Sequence, residues 1–257
     1  MIPRKPLETR PWHLDSLRSS MPPSTPGRHE QAEFDAMVDS YDEELQRRVA
    51  VSGETPDFYA AERVKFLAAR LQALGITSRT VLDFGCGMGA TVPHLARALA
   101  AESVVGVDES HESVKRAAQD HGSIGRFLPL DELPATPTFD VIYCNGVFHH
   151  IQPPRRPDAL AYVRARLRPG GIFAVWENNP WNPVMTITMN RSFIDRNAVK
   201  VPPPEARRLV HSAGFEVLRT DFLFYFPRAL APLRALEPAL RKFPLGAQYQ
   251  VLSRKPV

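Results

Sequence analysis

An apolar strand that runs directly into three alternating glycines leaves a chain few ways to fold. Val81-Leu82-Asp83-Phe84 has that character, and Gly85-Cys86-Gly87-Met88-Gly89 follows it at once. Glycine is needed where backbone takes left-handed dihedrals or approaches a ligand closely. Pro93 suits the first turn of a following helix, where its missing N–H costs little. Strand, glycine turn and helix together open an α/β unit.

The rest of the chain repeats that rhythm. Short apolar runs occur at Val104–Val107, Phe127–Leu130, Val141–Cys144 and Ile172–Trp176. Between them, residues 91–100, 112–121 and 157–167 carry helical spacing. Strand and helix in strict alternation predict parallel strands joined by right-handed crossovers, a doubly wound sheet. The end differs: Phe215–Phe226 and Gln248–Arg254 are strand-like without a full crossover between them, which predicts an antiparallel pair at one sheet edge. Upstream, residues 31–48 and 56–74 read as helices, the second with Val64, Leu67, Leu71 and Leu74 on one face and Gly75 as its stop. Residues 1–30 hold six prolines, at positions 3, 6, 11, 22, 23 and 26, and read as a disordered tail.

A hydrophobic fraction of 44% is ordinary for a globular domain, and the net charge of +4 comes without a dense Lys/Arg block, so no nucleic-acid arm is expected. Cys86 and Cys144 form neither a C-x-x-C pair nor a metal pattern, which predicts no metal, no disulfide and a reducing, cytoplasmic setting. No stretch approaches the roughly 18 apolar residues of a membrane span.

The glycine loop alone is ambiguous. Gly85, Gly87 and Ala90 also satisfy the G-x-G-x-x-A form of a dinucleotide turn, and Asp108 ends the second strand where a ribose-binding carboxylate belongs. Three details tilt the choice. Gly85, Gly87 and Gly89 are spaced for a wider cradle than a pyrophosphate needs. Asp83, two residues before the first glycine, would repel a pyrophosphate but suits a ligand bearing an ammonium and a sulfonium. The chain ends with the antiparallel pair.

At this point the chain resembles a family. Asp83-Phe84-Gly85-Cys86-Gly87-Met88-Gly89 is similar to the first motif of class I, Rossmann-like S-adenosylmethionine-dependent methyltransferases of the small-molecule type. Val104-Val105-Gly106-Val107-Asp108 is similar to their second. Phe139-Asp140-Val141-Ile142-Tyr143-Cys144-Asn145 with Phe148-His149-His150 is similar to their fourth, and Leu167-Arg168-Pro169-Gly170-Gly171 to the turn before their fifth strand. The resemblance covers residues 31–257. It implies one α/β domain with a mostly parallel seven-stranded sheet, an antiparallel C-terminal strand pair and a helical lid over residues 31–75, to which Phe34, Tyr41 and Asp42 belong.

It implies S-adenosylmethionine as cofactor. The loop of Gly85, Cys86, Gly87 and Gly89 would pass under the methionine part, with Asp83 near its ammonium. Asp108, with Glu109 beside it, would hold the ribose, and Asn145 would line the methionine end. The third motif departs from the pattern: the acid expected five residues before the proline of Leu133-Pro134 is Pro129. The backbone of Leu130 or the carboxylate of Asp131 is left to meet the adenine.

The acceptor side carries weaker signals. His149 and His150 follow the fourth strand, where α/β sheets bind ligands, and an imidazole there can take a proton; His150 is the favoured base. Glu177, at the end of the fifth strand, is a second candidate. The run Glu177-Asn178-Asn179-Pro180-Trp181-Asn182-Pro183 reads as a rigid loop at the sheet edge. It sits after the wrong strand for the Asn-Pro-Pro-aromatic motif of amino-group enzymes. With Leu245-Gly246-Ala247-Gln248-Tyr249 it resembles bacterial methyltransferases of natural-product and polysaccharide pathways. Residues 228–243 are apolar and basic, suited to a sheet-edge cover, a homodimer surface or a lipid surface.

The expected function is methyl transfer to oxygen or carbon of a small-molecule, lipid-linked or free acceptor in a biosynthetic pathway, with no nucleic-acid partner. Two rivals stand beside it: a nicotinamide-dependent oxidoreductase, and a non-catalytic binding module on the same fold.

Overall fold

The computed structural model describes residues 43–136 and 138–257. The expected tail over 1–30 and the lid residues Phe34, Tyr41 and Asp42 lie outside them.

The described chain opens with helix α1 over residues 43–50 and helix α2 (Pro56–Ala73). Thr55 caps α2, its hydroxyl accepting the Phe58 N–H at 3.2 Å, and Pro56 occupies the first turn. Gly75, at φ +66°, ends it: the N–H groups of Gly75 and Ile76 return to the carbonyls of Gln72 and Leu71. The alternating part follows as β1 (Thr80–Phe84), α3 (Val92–Ala98), β2 (Ser103–Asp108), α4 (His111–His121), β3 (Arg126–Pro129), β4 (Phe139–Asn145), α5 (Arg156–Arg166) and β5 (Leu167–Asn178). The remainder is α6 (Pro183–Arg191), α7 (Pro203–Ser212), β6 (Glu216–Leu223), a 3-10 stretch (Arg228–Leu236), the short α8 (Glu237–Leu240) and β7 (Gln248–Arg254).

One seven-stranded sheet runs in the order β3-β2-β1-β4-β5-β7-β6. The first five pair in parallel, and β7 pairs antiparallel to both β5 and β6. This is the sheet the sequence predicted. The order reverses between β1 and β4, and the carboxyl ends of these strands form the crevice where such sheets take ligands.

Strand alternation splits the core. Leu82, Phe84, Ile142, Cys144, Phe173 and Val175 face α5 and α7 in one buried cluster. Val81, Val141, Tyr143, Ala174 and Trp176 face the other way, toward Val64 and Leu67 of α2 and Leu95 of α3. Asp83 therefore shares a face with Tyr143, its register partner, and with α2. Arg63 of α2 donates to the Tyr143 hydroxyl at 3.0 Å and to Gln248 Oε1 at 3.0 Å, fixing α2 across β4 and β7.

Two helices escaped the sequence reading. In α6, Asn182 caps the helix by accepting the Met185 N–H at 2.9 Å and Pro183 starts it, so the expected rigid loop is also a helix entry. The crossover helix α7 packs Ala206 and Val210 on the sheet. The expected strand to Phe226 ends at Leu223, because Phe224 turns to φ +64°. The loop itself is tied to the approach to β7: Asn179 Nδ2 donates to the carbonyls of Pro244 and Gly246, and Asn182 Nδ2 to that of Leu245.

Candidate active site

The loop after β1 is shaped by its glycines. Gly85, Gly87 and Gly89 stand at φ +74°, +52° and +79°. A Cβ at Gly85 would lie 2.3 Å from Val147 Cγ2, and one at Gly89 2.8 Å from the Phe127 ring, whereas Gly87 opens onto free space. The N–H groups of Gly85 and Cys86 both close onto the Val107 carbonyl. Cys86 turns half inward, its thiol 3.5 Å from the Gly87 carbonyl and pushed up by burial and the neighbouring Asp108. Both cysteines are free thiols.

Two carboxylates flank this loop. Asp108 accepts the Gly87 N–H at 2.8 Å on one oxygen and the Ser110 N–H at 3.0 Å on the other. Asp83 is buried, and its Oδ2 has no hydrogen-bond partner among the described residues. Burial, and then the Asp108 charge, raise its pKa to about 7 against the opposing pull of Arg63. Asn145, at the end of β4, likewise presents an unpartnered buried Oδ1. Glu109 lies 3.7 Å from Arg155 in an ion pair. Leu130 and Asp131 form a 3-10 turn after β3, with the Leu130 carbonyl accepting the Tyr162 hydroxyl at 2.7 Å. A strand-end cradle of left-handed glycines between two carboxylates, with unsatisfied oxygens at Asp83 and Asn145, fits a nucleoside ligand that carries an ammonium.

The acceptor-side candidates form a separate buried group. Glu177 is 1% exposed and both its oxygens are engaged, by the Phe148 N–H at 2.8 Å and His149 Nδ1 at 2.5 Å. It holds the loop after β4 in place, with both oxygens engaged. On the far side of the ring, His149 Nε2 faces Asp195 Oδ1 at 3.3 Å, and His150 Nε2 lies 3.8 Å from the same oxygen. Arg48 of α1 reaches Asp195 Oδ2 at 2.9 Å. Burial opposes the His149 imidazolium, but Glu177 and Asp195 outweigh it and lift its pKa to about 9. Burial and the neighbouring His149 push His150 down to about 3, so it is neutral at physiological pH and a weak base, contrary to expectation.

Asp195 and Arg48 had no signal in sequence, since neither lies in a motif and only the tertiary fold brings them to the histidines. The same holds for Arg156, whose buried guanidinium donates to the carbonyls of Phe148, Ile151 and Val199 and to Glu205. Beside Asp195 a cavity of about 360 Å³ is lined by Asn190, Arg191, Phe193, Arg196 and Lys200.

Residues 82–173 match a protein family described as a methyltransferase domain. They run from β1 into β5 and hold both the glycine loop and Asp108.

Over these residues the chain resembles methyltransferase domains, and its fold is that of class I S-adenosylmethionine-dependent methyltransferases.

Solved structures agree with this chain in fold. A Thermotoga maritima SAM-dependent methyltransferase superposes with a TM-score of 0.61 at 20% identity, over 88% of this chain and all (100%) of that one. A chain of the complex between the Haloferax volcanii Trm112 methyltransferase activator and its methyltransferase gives 0.60 at 18% identity, over 88% and 98%. Magnesium protoporphyrin IX methyltransferase from Synechocystis, solved with bound SAH, gives 0.59 at 17% identity, over 88% and 97%. No described helix is long and apolar enough to cross a membrane.

Among curated proteins, tRNA U34 carboxymethyltransferases of Shewanella sediminis and Shewanella halifaxensis are 41% and 42% identical over 106 residues, 37% of this chain. The match spans 30% of the length of those relatives. This finding corrects two expectations. The chain was read as an enzyme of small-molecule biosynthesis, with a free or lipid-linked acceptor and no nucleic-acid partner. These two relatives are named for tRNA. The cofactor motifs are shared across acceptor classes, so they had no power to choose between them.

Proposed function

We propose that this protein methylates tRNA, with S-adenosylmethionine as donor, in the cytoplasm. The observation that carries the reading is the 41% identity over 106 residues with enzymes named for tRNA modification. The cavity beside the β4 loop supports it: Arg191, Arg196 and Lys200 line its rim, and cations so placed suit a phosphate backbone.

When bound, the donor supplies a methyl carbon on a sulfonium, already activated for in-line displacement. The chain's work is binding and alignment. Gly85, Cys86, Gly87 and Gly89 hold the methionine portion against backbone, and ionised Asp83 pairs with its ammonium. Asp108 would hold the two ribose hydroxyls, with Glu109 beside it. Leu130 and Asp131 border the adenine, and Asn145 offers its side-chain oxygen at the methionine end. Glu177 and His149 fix the loop after β4 so that its backbone forms the wall between donor and acceptor. His150, with 19% of its side chain exposed, is the member of that group that can meet the acceptor.

The test is incubation of the full chain with methyl-labelled S-adenosylmethionine and bulk tRNA, followed by nucleoside digestion. Label in a tRNA nucleoside, lost in Asp108→Ala, is the expected result. Tight binding of S-adenosylhomocysteine without label in any tRNA overturns the acceptor, and absence of that binding overturns the donor.

A further inference from the structure

We propose that His149, His150 and Asp195 form a binding site for a divalent transition-metal ion, distinct from the cofactor cradle. The inference goes beyond the tRNA reading and does not depend on it.

The argument begins with the tautomer of His149. Its Nδ1 lies 2.5 Å from the Glu177 carboxylate, which can only accept, so Nδ1 carries a proton. The other ring nitrogen, Nε2, looks at Asp195 Oδ1 across 3.3 Å and becomes a metal-binding lone pair once it gives up its proton. Neither His149 Nε2 nor Asp195 Oδ1 makes a hydrogen bond among the described residues, while Asp195 Oδ2 pairs with Arg48 at 2.9 Å. A cation between these two atoms, either a proton or a metal ion, joins them.

The ligand geometry suits a metal. One ligand atom from each of His149, His150 and Asp195 can be chosen so that all three lie within 4.8 Å of one another. Metal bonds of about 2.1 Å place neighbouring ligands roughly 3–3.5 Å apart, so the site closes on an ion by small side-chain rotations. Two imidazoles and one carboxylate leave coordination positions open and select the transition series over magnesium or calcium. Glu177 is already where a metal-bound histidine requires a partner, on the opposite ring nitrogen, orienting the ring and raising its basicity. Arg48 occupies the other Asp195 oxygen, Oδ2, and leaves Oδ1 to the histidines. Asp195 also lines the 360 Å³ cavity, which provides a path for the ion and room for its remaining ligands.

The rival occupant is a proton, held on His149 Nε2 between the two carboxylates. The two occupants differ in what they do to added metal. Untagged full chain, stripped with a chelator, is titrated with cobalt(II) and followed by visible absorption, with zinc(II) as a competitor and elemental analysis of the protein as purified. One ion per chain is expected, together with a cobalt spectrum that zinc abolishes. His150→Ala and Asp195→Asn should each weaken binding by more than tenfold, and Glu177→Gln by about 10–100-fold through loss of the orienting partner. Circular dichroism establishes that each variant is folded. His150→Ala is the safeguard, since its side chain is the most accessible of the three. Absence of cobalt absorption in the wild-type chain overturns the proposal in favour of the proton, and unchanged affinity in folded His150→Ala overturns it in favour of a site elsewhere.

Discussion

Asp108 reaches back from the end of β2 to accept the backbone N–H of Gly87 at 2.8 Å, so this carboxylate and the glycine loop are one hydrogen-bonded unit. The same side chain accepts the Ser110 N–H at 3.0 Å. Replacing it should therefore disturb binding and loop order together. Asp108→Ala is expected to weaken S-adenosylhomocysteine by ~1–3 kcal/mol in calorimetric titration, the cost of losing hydrogen bonds to a charged group. An unchanged dissociation constant in a folded variant would refute the assignment.

Asp83 sets up an opposition between stability and binding. Its pKa in the fold is raised to about 7 from an ordinary 3.8. The stability it contributes is complete below about pH 4 and is lost as pH rises through 7, because the fold then holds a buried charge. Ligand binding runs the other way, since an ammonium needs the ionised form. Affinity for S-adenosylhomocysteine should rise about tenfold from pH 6 to pH 8, following the ionised fraction. Asp83→Asn should flatten that profile, weaken binding and raise the melting temperature at pH 8. A profile that survives the substitution would show that another group titrates.

The glycines of the loop should separate by substitution. At Gly85 both the dihedral, φ +74°, and the 2.3 Å approach of Val147 forbid a side chain, so Gly85→Ala should lose stability, partly restored by Val147→Ala. At Gly87 the space is open and only the left-handed dihedral, worth ~1–2 kcal/mol, opposes alanine. Gly87→Ala should keep the fold and lose cofactor affinity. Thermal melts beside binding isotherms decide it, and equal loss of both properties in the two variants would contradict the distinction.

Arg156 should prove structural. It is 1% exposed and joins the loop after β4 to Val199 and to Glu205 of α7. Arg156→Met should cost ~3–5 kcal/mol in denaturant unfolding by leaving its partners unpaired. Lysine should not rescue it, because an ammonium cannot reproduce the planar fork that serves several acceptors at once. A variant as stable as the wild type would remove Arg156 from the account.

The cofactor half of the site was legible because its signals are local. Asp83, Gly85, Gly87 and Gly89 lie within seven residues, and Asp108 ends the next strand, so one strand-turn-helix unit and its neighbour define the cradle. The acceptor half was not. Its histidines were visible, but the partners that set their charge, Glu177 at 2.5 Å and Asp195 at 3.3 Å, come from β5 and from a segment beyond α6 that sequence periodicity passed over. Helix α6 carries exposed Val184 and Ile187 and only one buried side chain, Met189, so it lacks the apolar stripe by which helices are recognised.

By itself the sequence determined the alternation of strands and helices, the antiparallel ending and the glycine cradle, since each depends on patterns within a few residues and on the stereochemistry of glycine. Only the tertiary structure decided that Glu177 is an anchor, that His150 is held neutral and that Asp195 completes the group, because charge and proton affinity depend on burial and on neighbours distant in the chain.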